Sequence, residues 1–350
     1  MKIGDVEIRS SQRPFFIAEA GVNHNGDIET AKNLIDVAID AGADAVKFQT
    51  FSADRLVTPE APKAEYQNES TGEGSQYDML KRYELGHGAH EDLFEYCNQQ
   101  DIIFLSTPFD QSSASMLKDL GIKAIKLGSG ELDNIPLLNH VAQFGLPLIV
   151  STGMGTLDEV KEAYEAIYSV NSEADVVFLH CTSTYPCSID DVNLRAMDTI
   201  RDELETPVGY SDHTTLPETP ALAVAAGACV VEKHFTLDST MSGPDHGSSL
   251  EPDELNHSIN LVDIAYRALG SPEKEPTSSE LNNRKNTRKG LHAAVNIQED
   301  ELIREEHIEI LRPAEGLSPG EYENVIGAKT IQKIKKGEPI TAETLEFDRG

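Results

Sequence analysis

The sequence predicts an α/β protein whose larger part is a (β/α)8 TIM barrel, followed by a small, mostly β C-terminal unit. Eight short apolar runs alternate with stretches of helical periodicity, which is typical of parallel α/β folds. The loop after the first run, residues 21–26, lacks the GxGxxG spacing of an open dinucleotide-binding sheet. The length of 350 residues leaves room for a second, smaller core.

The predicted strands and helices follow each other regularly. The strands occupy residues 15–20, 45–50, 102–108, 124–131, 147–153, 176–186, 207–213 and 229–236. After the first strand, Ile28, Leu34 and Ala38 recur at helical spacing, and Gly42 ends that pattern. Further helical patterns lie near residues 110–120, 135–144, 156–169, 192–204, 217–226 and 253–267. Eight such repeats favour a closed barrel.

Two segments interrupt this alternation. Residues 51–88 form a long polar excursion with one short helical pattern, near 77–85. A loop of this length is usually a functional lid or a disordered segment. Residues 269–290 have almost no apolar side chains and are expected to be a linker. The predicted domains are therefore a barrel at 1–268 and a small unit at 291–350.

The small unit contains a faint internal repeat. Residues 295–310 align without gaps on residues 332–347. The identical pairs include Ile297 with Ile334 and Ile303 with Ile340. Chance similarity is one explanation, and a small β domain with pseudo-twofold symmetry is the other.

Composition and charge exclude several classes of protein. The chain has 29 Lys and Arg against 60 Asp and Glu, a net charge of −31, which repels phosphate backbones and argues against nucleic acid as a partner. No apolar run is long enough to span a membrane, and the charged first residues do not resemble a signal peptide. The 4 cysteines form no disulfide or metal motif, so a reducing cytoplasm is expected.

Polar residues stand at the end of every predicted strand, whereas the strand starts are apolar. Barrel enzymes carry their active sites at this carboxyl end, and burying so many polar groups is unfavourable unless they bind something. The sequence therefore predicts an enzyme. The strand-end residues are Glu19, Lys47, Gln49, Ser106, Thr107, Lys126, Ser129, Glu131, Ser151, Thr152, Thr182, Ser183, Tyr185, Ser211, Asp212, His213, Glu232, Lys233 and His234.

His213 and His234 end neighbouring strands, with carboxylates nearby. A single strand-end histidine is usually a structural hydrogen-bonding group. Two of them beside carboxylates predict an open site for a divalent metal, Mn²⁺ or Mg²⁺, because no third histidine or thiolate completes a closed zinc site.

Lys47 and Lys126 are expected to point into the barrel mouth among serine and threonine hydroxyls. Salt bridges to rim carboxylates are one interpretation. Capture of a phosphate together with a carboxylate is the other. Cys181 and Cys187, which flank the sixth strand end, are interpreted as packing thiols.

The same segments resemble the N-acetylneuraminate (sialic acid) synthase family. The resemblance covers residues 3–347 and rests on FIAEAGVNHNG (16–26), AVKFQT (45–50), FLSTPF (104–109), IKLGSGE (125–131), IVSTGM (149–154), LHCTSTYP (179–186), GYSDHT (209–214), VEKHFT (231–236), GPD (243–245) and LRPAEGLSP (311–319). It implies a TIM barrel followed by an antifreeze-like, or SAF, domain. It also implies a homodimer in which each small domain covers the partner's barrel mouth.

The resemblance further implies a reaction. Phosphoenolpyruvate condenses with an N-acylated mannosamine-type sugar and water, giving a nine-carbon 2-keto sugar acid and phosphate. His213 and His234 resemble the metal ligands, and Arg312 resembles the arginine that the partner's small domain offers to the N-acyl group. The phosphoenolpyruvate pocket would comprise Lys47, Thr107, Lys126, Ser129, Ser151, Ser183, Tyr185 and Ser211. The sugar-side and proton-handling groups would be Glu19, Gln49, Glu232 and Asp245.

The identity of the sugar is the least determined feature. A neuraminate-making bacterial member has Asn at the position of Ser183, and residues 51–75 match it poorly. Serine there resembles the branch that makes legionaminate-type sugars. The acceptor is therefore N-acetylmannosamine or, alternatively, a diacetamido-trideoxy hexose leading to legionaminate or pseudaminate.

Two rival functions remain at this point. One is a related synthase with a sugar-phosphate acceptor, which would need more basic residues than Lys47, Lys126 and Lys233 provide at the rim. The other is a non-catalytic protein whose SAF-like tail binds sugar or ice. That protein would have no need for paired strand-end histidines.

Overall fold

The computed structural model describes residues 1–9 and 11–347. A hairpin of β1 (Lys2–Ile3) and β2 (Val6–Glu7) precedes a sheet of eight parallel strands. These strands are β3 (Phe15–Gly21), β4 (Ala45–Thr50), β5 (Ile103–Pro108), β6 (Ile125–Leu127), β7 (Leu148–Ser151), β8 (Val176–His180), β9 (Val208–Asp212) and β10 (Val230–His234).

The sheet closes into a barrel. The hydrogen-bonded order is β5-β4-β3-β10-β9-β8-β7-β6, so the first and last parallel strands, β3 and β10, are paired. The strands at the two ends of this order, β5 and β6, also lie side by side. The predicted (β/α)8 barrel is confirmed.

Helices connect the strands, largely where the periodicity predicts them. In chain order they are α1 (Ile28–Ala41), α2 (Ala53–Leu56), α3 (Glu65–Thr71), α4 (Gln76–Tyr83), α5 (His87–Gln99), α6 (Gln111–Leu120), α7 (Ile135–Ala142), α8 (Leu157–Val170), α9 (Ala196–Leu204), α10 (Thr219–Ala225) and α11 (Pro252–Leu269). Local signals set their ends: Asp27 caps α1 by accepting from the Thr30 amide, and α1 stops before Gly42, as predicted.

Two predicted strands are too long. The sixth was predicted to reach residue 186, but β8 ends at His180. Beyond β8 the chain leaves the sheet and bonds to His213 instead. The Thr182 carbonyl accepts from the His213 ring, and the Cys187 amide donates to the His213 carbonyl. The fourth was predicted over 124–131, but β6 is followed by a 3₁₀ turn at Ser129–Glu131.

The core has two layers. Inward-facing apolar side chains such as Phe15, Ile17 and Leu179 fill the lower barrel, joined there by Ile3 and Ile8 from the hairpin region. A second layer lies between the strands and the surrounding helices. Because strand residues alternate in direction, every second residue toward the carboxyl end points into the barrel mouth.

The excursion after β4 is more ordered than predicted. It contains α2, α3 and α4, where the sequence predicts one short pattern near 77–85. Ser75 caps α4 by accepting from the Asp78 amide, and the Ala64 amide donates to the Gln67 side chain at the start of α3. Such short helices span too few residues for periodicity to identify them.

The chain divides into two compact units, residues 1–270 and 271–350. The segment expected to be a linker carries helix α12 (Ser278–Thr287), started by a capping box of Thr277 and Glu280. All residues of α12 are exposed, so apolar periodicity does not reveal it. The last three residues of the predicted 291–350 unit lie outside the described residues.

The second unit contains two short antiparallel strand pairs. Strand β11 (Gly290–Ala293) pairs with β12 (Ile308–Leu311), and β13 (Lys329–Thr330) pairs with β14 (Leu345–Glu346). A single-turn helix, α13 (Tyr322–Val325), separates the pairs. Ile297, Ile334 and Ile340 belong to their common apolar core.

The internal repeat corresponds to pseudo-twofold symmetry. Ile297 and Ile334, which the repeat aligns, hydrogen-bond to each other through both backbone amides at 2.8 and 3.0 Å. Two further backbone bridges are related by the same offset of 37 residues. His292 pairs with Pro339, and their counterparts in the repeat, Lys329 and Leu302, pair with each other. The small domain therefore has the pseudo-twofold symmetry that the second explanation predicts.

Among the described residues, no helix combines the length and apolar character needed to cross a membrane.

Candidate active site

A cavity of about 530 Å³ opens at the carboxyl ends of the barrel strands. Its volume lies within the usual range for small-molecule sites. Within the first unit, every residue that the family resemblance assigns to the site lines this cavity. Arg312 is an exposed residue of the second unit. The strand-end pattern therefore identifies side chains that the fold brings together.

Lys47 and Lys126 project into the floor of the cavity and are almost completely buried. Lys47 Nζ lies 2.7 Å from Glu19 Oε2 and donates to Thr107 Oγ1 at 2.9 Å. Lys126 Nζ donates to Ser151 Oγ at 2.7 Å. Both interpretations of these lysines thus have a structural basis, since they pair with carboxylates and also reach the hydroxyl groups.

Glu232 lies between the two lysines. Its carboxylate is 3.7 Å from Lys47 Nζ and 3.6 Å from Lys126 Nζ, and Ser211 Oγ donates to it at 2.9 Å. Burial by itself raises the pKa of Glu232, but Lys126 and Lys47 outweigh it and lower that pKa to about 2. The two lysines therefore favour the ionised form of Glu232 at the centre of the site.

Glu19 and Asp245 have a different electrostatic environment. Burial raises the pKa of Glu19 to about 7, although Lys47 opposes this shift. Burial also raises the pKa of Asp245 to about 6. A Cβ atom at Gly21, where φ is +55°, would lie 3.2 Å from Asp245 Oδ2 and 3.3 Å from Glu19 Oε1. Two carboxyl groups that can hold or release a proton near neutral pH thus converge above a glycine.

A second glycine lets three side chains converge on the opposite wall. A Cβ atom at Gly153 would lie 2.8 Å from both Ser129 Oγ and Cys181 Sγ and would overlap Ser183 Oγ. The Gly153 amide donates to Ser129 Oγ at 3.0 Å, and Ser129 Oγ and Cys181 Sγ are 3.1 Å apart. Cys181 therefore contacts a predicted substrate-binding serine, a proximity that its sequence position does not reveal.

His213 and His234 form a pair at the top of β9 and β10, with ring centroids 5.4 Å apart. His213 Nδ1 is 2.7 Å from the Thr182 carbonyl oxygen, and His213 Nε2 is 3.1 Å from the Tyr185 hydroxyl. Burial lowers the pKa of both histidines, that of His234 well below its usual value. The two rings are therefore neutral at physiological pH.

The residues at this pair fit a divalent cation. His234 Nδ1 is buried and has no hydrogen-bond partner among the described residues, and neither has Glu232 Oε2. Neutral imidazole and carboxylate oxygen are suitable ligands for Mn²⁺ or Mg²⁺. Within residues 1–9 and 11–347, no group of three or more His, Cys, Asp or Glu side chains forms a complete metal site.

Lys233 is placed differently from the sequence expectation. It was expected at the rim, but it is fully buried and does not line the cavity. Its ammonium pairs with Asp212 Oδ2 at 2.6 Å. The residues before and after each of them point into the barrel mouth. Because successive side chains of a strand point in opposite directions, Asp212 and Lys233 lie on the outer face of the barrel. Lys47 and Lys126 are the lysines that line the cavity.

The excursion after β4 supplies cavity-lining residues that sequence reasoning missed. Leu56, Val57, Met79, Leu80 and Tyr83 form a largely apolar part of the wall. They come from α2, α4 and the residue after α2. These residues are not of the types that a search for catalytic groups selects. The sequence feature that pointed to this wall was the length of the excursion, which indicated a lid.

Comparisons with known proteins show the family of this chain. A model described as the NeuB family matches residues 34–274, and a model of the SAF domain matches residues 288–346. The N,N'-diacetyllegionaminic acid synthase of Legionella pneumophila is 46% identical over 350 residues, covering 99% of this chain and 98% of that protein. The N-acetylneuraminate-9-phosphate synthase of Homo sapiens is 33% identical over 335 residues, covering 95% of this chain and 92% of that protein.

A solved structure is similar as well. The N-acetylneuraminic acid (sialic acid) synthetase of Leptospira borgpetersenii, crystallised in complex with citrate, superposes with a TM-score of 0.72 at 35% identity. The match covers 81% of this chain and 94% of that chain.

Proposed function

Because the chain belongs to the NeuB family, whose synthases are phosphoenolpyruvate-dependent and form carbon–carbon bonds, and ends in a SAF domain, we propose the following reaction. The enzyme condenses phosphoenolpyruvate with an N-acylated aminosugar and water, and it releases phosphate and a nine-carbon 2-keto sugar acid. One observation carries this proposal. A single cavity joins an anion-binding floor, Lys47 and Lys126, to a neutral histidine pair, His213 and His234.

Phosphoenolpyruvate is assigned to the lysine floor. Its phosphate and carboxylate require cationic and hydroxyl donors, and Lys126 and Ser151 already bond each other there. Ser129 and Ser183 converge on the adjacent wall above Gly153. The remaining members of this pocket are Lys47, Thr107, Tyr185 and Ser211.

His213 and His234 would hold the divalent metal, Mn²⁺ or Mg²⁺, with water or substrate as further ligands. When bound, the metal supplies a Lewis acid for the acceptor's aldehyde oxygen. The neutral rings suit this role, because a protonated imidazole cannot bind a metal. Glu232 places a fixed negative charge beside the pair.

Glu19 and Asp245 are assigned to proton transfer. Carbon 3 of phosphoenolpyruvate bonds to the aldehyde carbon, and the aldehyde oxygen gains a proton from the protein. Water adds at carbon 2 and returns one proton to the protein. Phosphate then leaves carbon 2 with the second proton of that water, and the 2-keto group forms. Asp245, with a pKa of about 6, is mostly ionised at neutral pH and can accept a proton during opening of the sugar ring. Glu19, with a pKa of about 7, can supply the proton to the aldehyde oxygen. Gln49 would orient the sugar beside them.

The acceptor is proposed to be a 2,4-diacetamido-trideoxy hexose, with N-acetylmannosamine as the alternative. The apolar wall of Leu56, Val57, Met79 and Leu80 favours a sugar that carries a methyl group in place of a hydroxyl. The relative from Legionella pneumophila bears the name of a diacetyllegionaminic acid synthase. No arginine lines the described cavity, and its two lysines face carboxylates, which disfavours a sugar-phosphate acceptor.

The active form is proposed to be a homodimer in which Arg312 reaches the partner's sugar site. Three apolar side chains at the barrel rim, Met154, Ile189 and Leu216, are exposed by 75%, 48% and 40%. These side chains follow β7, β8 and β9 at the carboxyl end of the barrel, where a partner subunit could cover them. The reaction is placed in the cytoplasm, in keeping with four cysteines that are all free and buried.

The proposal is tested by phosphate release. Purified enzyme with Mn²⁺ and phosphoenolpyruvate is offered N-acetylmannosamine, its 6-phosphate, and 2,4-diacetamido-2,4,6-trideoxymannose. We expect the diacetamido sugar to have the highest kcat/KM. Preference for N-acetylmannosamine would support the alternative, and no release with any of the three sugars would contradict the reaction itself.

A further inference from the structure

An ion pair lies on the outer face of the barrel, directly behind the histidine pair. Lys233 Nζ is 2.6 Å from Asp212 Oδ2, and both side chains are 0% exposed. The two residues are direct partners in the β9–β10 ladder. Their chain neighbours Ser211, His213 and His234 line the cavity, so the ion pair and the histidines occupy opposite faces of the same two strands.

The ion pair reaches both sides of His213. Asp212 Oδ1 accepts from the Thr214 amide at 2.9 Å, which closes a side-chain turn around His213. Lys233 Nζ also donates to the Thr214 carbonyl. Since Lys233 immediately precedes His234, one ammonium group connects the backbone that carries one histidine to the backbone that carries the other.

Fold stability by itself does not explain this ion pair. Removing two charges from water is unfavourable, and well-packed apolar side chains of similar volume often stabilise a protein equally well or better. Apolar side chains such as Val231 and Phe235 belong to the same layer, and the hydroxyl groups of Tyr210 and Thr214 donate to Asp212 at 3.2 Å. What an apolar pair cannot provide is directional bonding to the turn at residues 212–214.

We propose that Lys233 and Asp212 are positioning residues that set the relative placement of His213 and His234 for the divalent cation. This inference rests on the proposed metal role of the two histidines. The Thr182 carbonyl orients the His213 ring, whereas the ion pair holds the backbone from which the ring projects. Neither Lys233 nor Asp212 lines the described cavity.

The test measures Mn²⁺ binding by the full-length protein. Lys233→Met alone leaves Asp212 as a buried unpaired charge and can prevent folding. The informative variant is therefore Lys233→Met with Asp212→Asn, because asparagine keeps an oxygen acceptor for the Thr214 amide. We expect its Mn²⁺ affinity, followed by the electron paramagnetic resonance signal of free Mn²⁺, to fall about 10–100-fold. We expect its thermal unfolding midpoint and its metal-free phosphoenolpyruvate binding to match the wild type.

A control removes an ion pair far from the histidines. Arg13 pairs with Asp44 at 2.7 Å near the start of β3, and Arg13→Met with Asp44→Asn should retain wild-type Mn²⁺ affinity. Equal Mn²⁺ affinity in the Lys233/Asp212 double variant and the wild type would overturn this inference and leave the proposed reaction intact. A wild-type protein that binds no Mn²⁺ would instead overturn the metal site and this inference together.

Discussion

His213 and His234 face each other from the ends of adjacent strands, with ring centroids 5.4 Å apart. The Nδ1 atom of His213 is engaged by the Thr182 carbonyl. The Nδ1 atom of His234 is buried without a hydrogen-bond partner among the described residues. A buried imidazole nitrogen without a partner is unfavourable unless a ligand binds it, and this relationship leads to the first prediction.

His213→Ala and His234→Ala should each lower kcat about 10²–10³-fold, as expected when stabilisation of transition-state charge is lost. Both variants should remain folded, because strand-end side chains lie beyond the packed barrel layers. Phosphate release measured with chelator and after Mn²⁺ is restored tests the metal directly. His257→Ala, at an exposed position on α11, is the control. Full activity in excess chelator would contradict the prediction.

Lys47→Ala and Lys126→Ala should raise KM for phosphoenolpyruvate at least tenfold, since each removes a charge-assisted contact worth about 1.5–3 kcal/mol. Initial rates at varied phosphoenolpyruvate and saturating sugar measure the effect. Lys123→Ala, at an exposed position, should behave as wild type. If both variants keep the wild-type kcat/KM, the two lysines only balance Glu19 and Glu232.

Asp245 should determine the acidic limb of the pH profile. Burial raises its pKa to about 6, and the proposed base must be ionised. Therefore kcat/KM for the sugar should fall as the pH decreases through about 6, approaching about tenfold per pH unit. Asp245→Asn should remove this limb and lower activity throughout. Asp158→Asn, at an exposed position on α8, should keep the wild-type profile, and an unchanged limb in Asp245→Asn would refute the assignment.

Gly153→Ala should impair phosphoenolpyruvate binding. The new methyl group would overlap Ser183 Oγ and lie 2.8 Å from Ser129 Oγ, so both hydroxyl groups would have to move. We expect KM for phosphoenolpyruvate to increase about tenfold or more, the effect of losing roughly one hydrogen bond to a charged group. Gly88→Ala, where a Cβ meets nothing within 4 Å, provides the matched control. Unchanged kinetics in Gly153→Ala would show that this wall does not contact the substrate.

Arg312→Ala should impair use of the sugar far more than binding of phosphoenolpyruvate, because lysine or alanine cannot reproduce the planar donor fork of arginine. The decisive measurement mixes Arg312→Ala subunits with His213→Ala subunits, each inactive alone. If Arg312 acts on the partner's barrel, some mixed dimers combine an intact barrel with an intact tail, and activity returns. No recovery after demonstrated subunit exchange would place Arg312 over its own barrel.

The barrel and the contents of its mouth could be predicted from sequence because both depend on local pattern. Apolar runs followed by helical periodicity define the alternating elements, and parallel strands bring their carboxyl ends to one rim. Glu19, Lys47 and His213 therefore had to lie near one another once the barrel was assumed. The symmetry of the tail was also visible in the sequence, in the alignment of Ile297 with Ile334.

Other features depend on contacts between distant segments. Lys233 and Lys126 both belong to predicted strands, but only Lys126 enters the cavity, because successive side chains of a strand point to opposite faces. The wall formed by Met79 and Leu80 depends on where the excursion folds back over the rim. Convergence of Ser183 and Cys181 above Gly153 joins two strand ends that are distant in sequence.

The amino-acid sequence by itself determined the alternation of strands and helices, the polar strand ends and the tail repeat, because each follows from residue type and short-range spacing. Only the tertiary structure decided the protonation of the carboxyl groups. Glu19 and Glu232 are the same residue type, yet their pKa values are about 7 and about 2. The difference arises because Glu232 lies between two buried lysines, whereas burial outweighs the single close lysine beside Glu19.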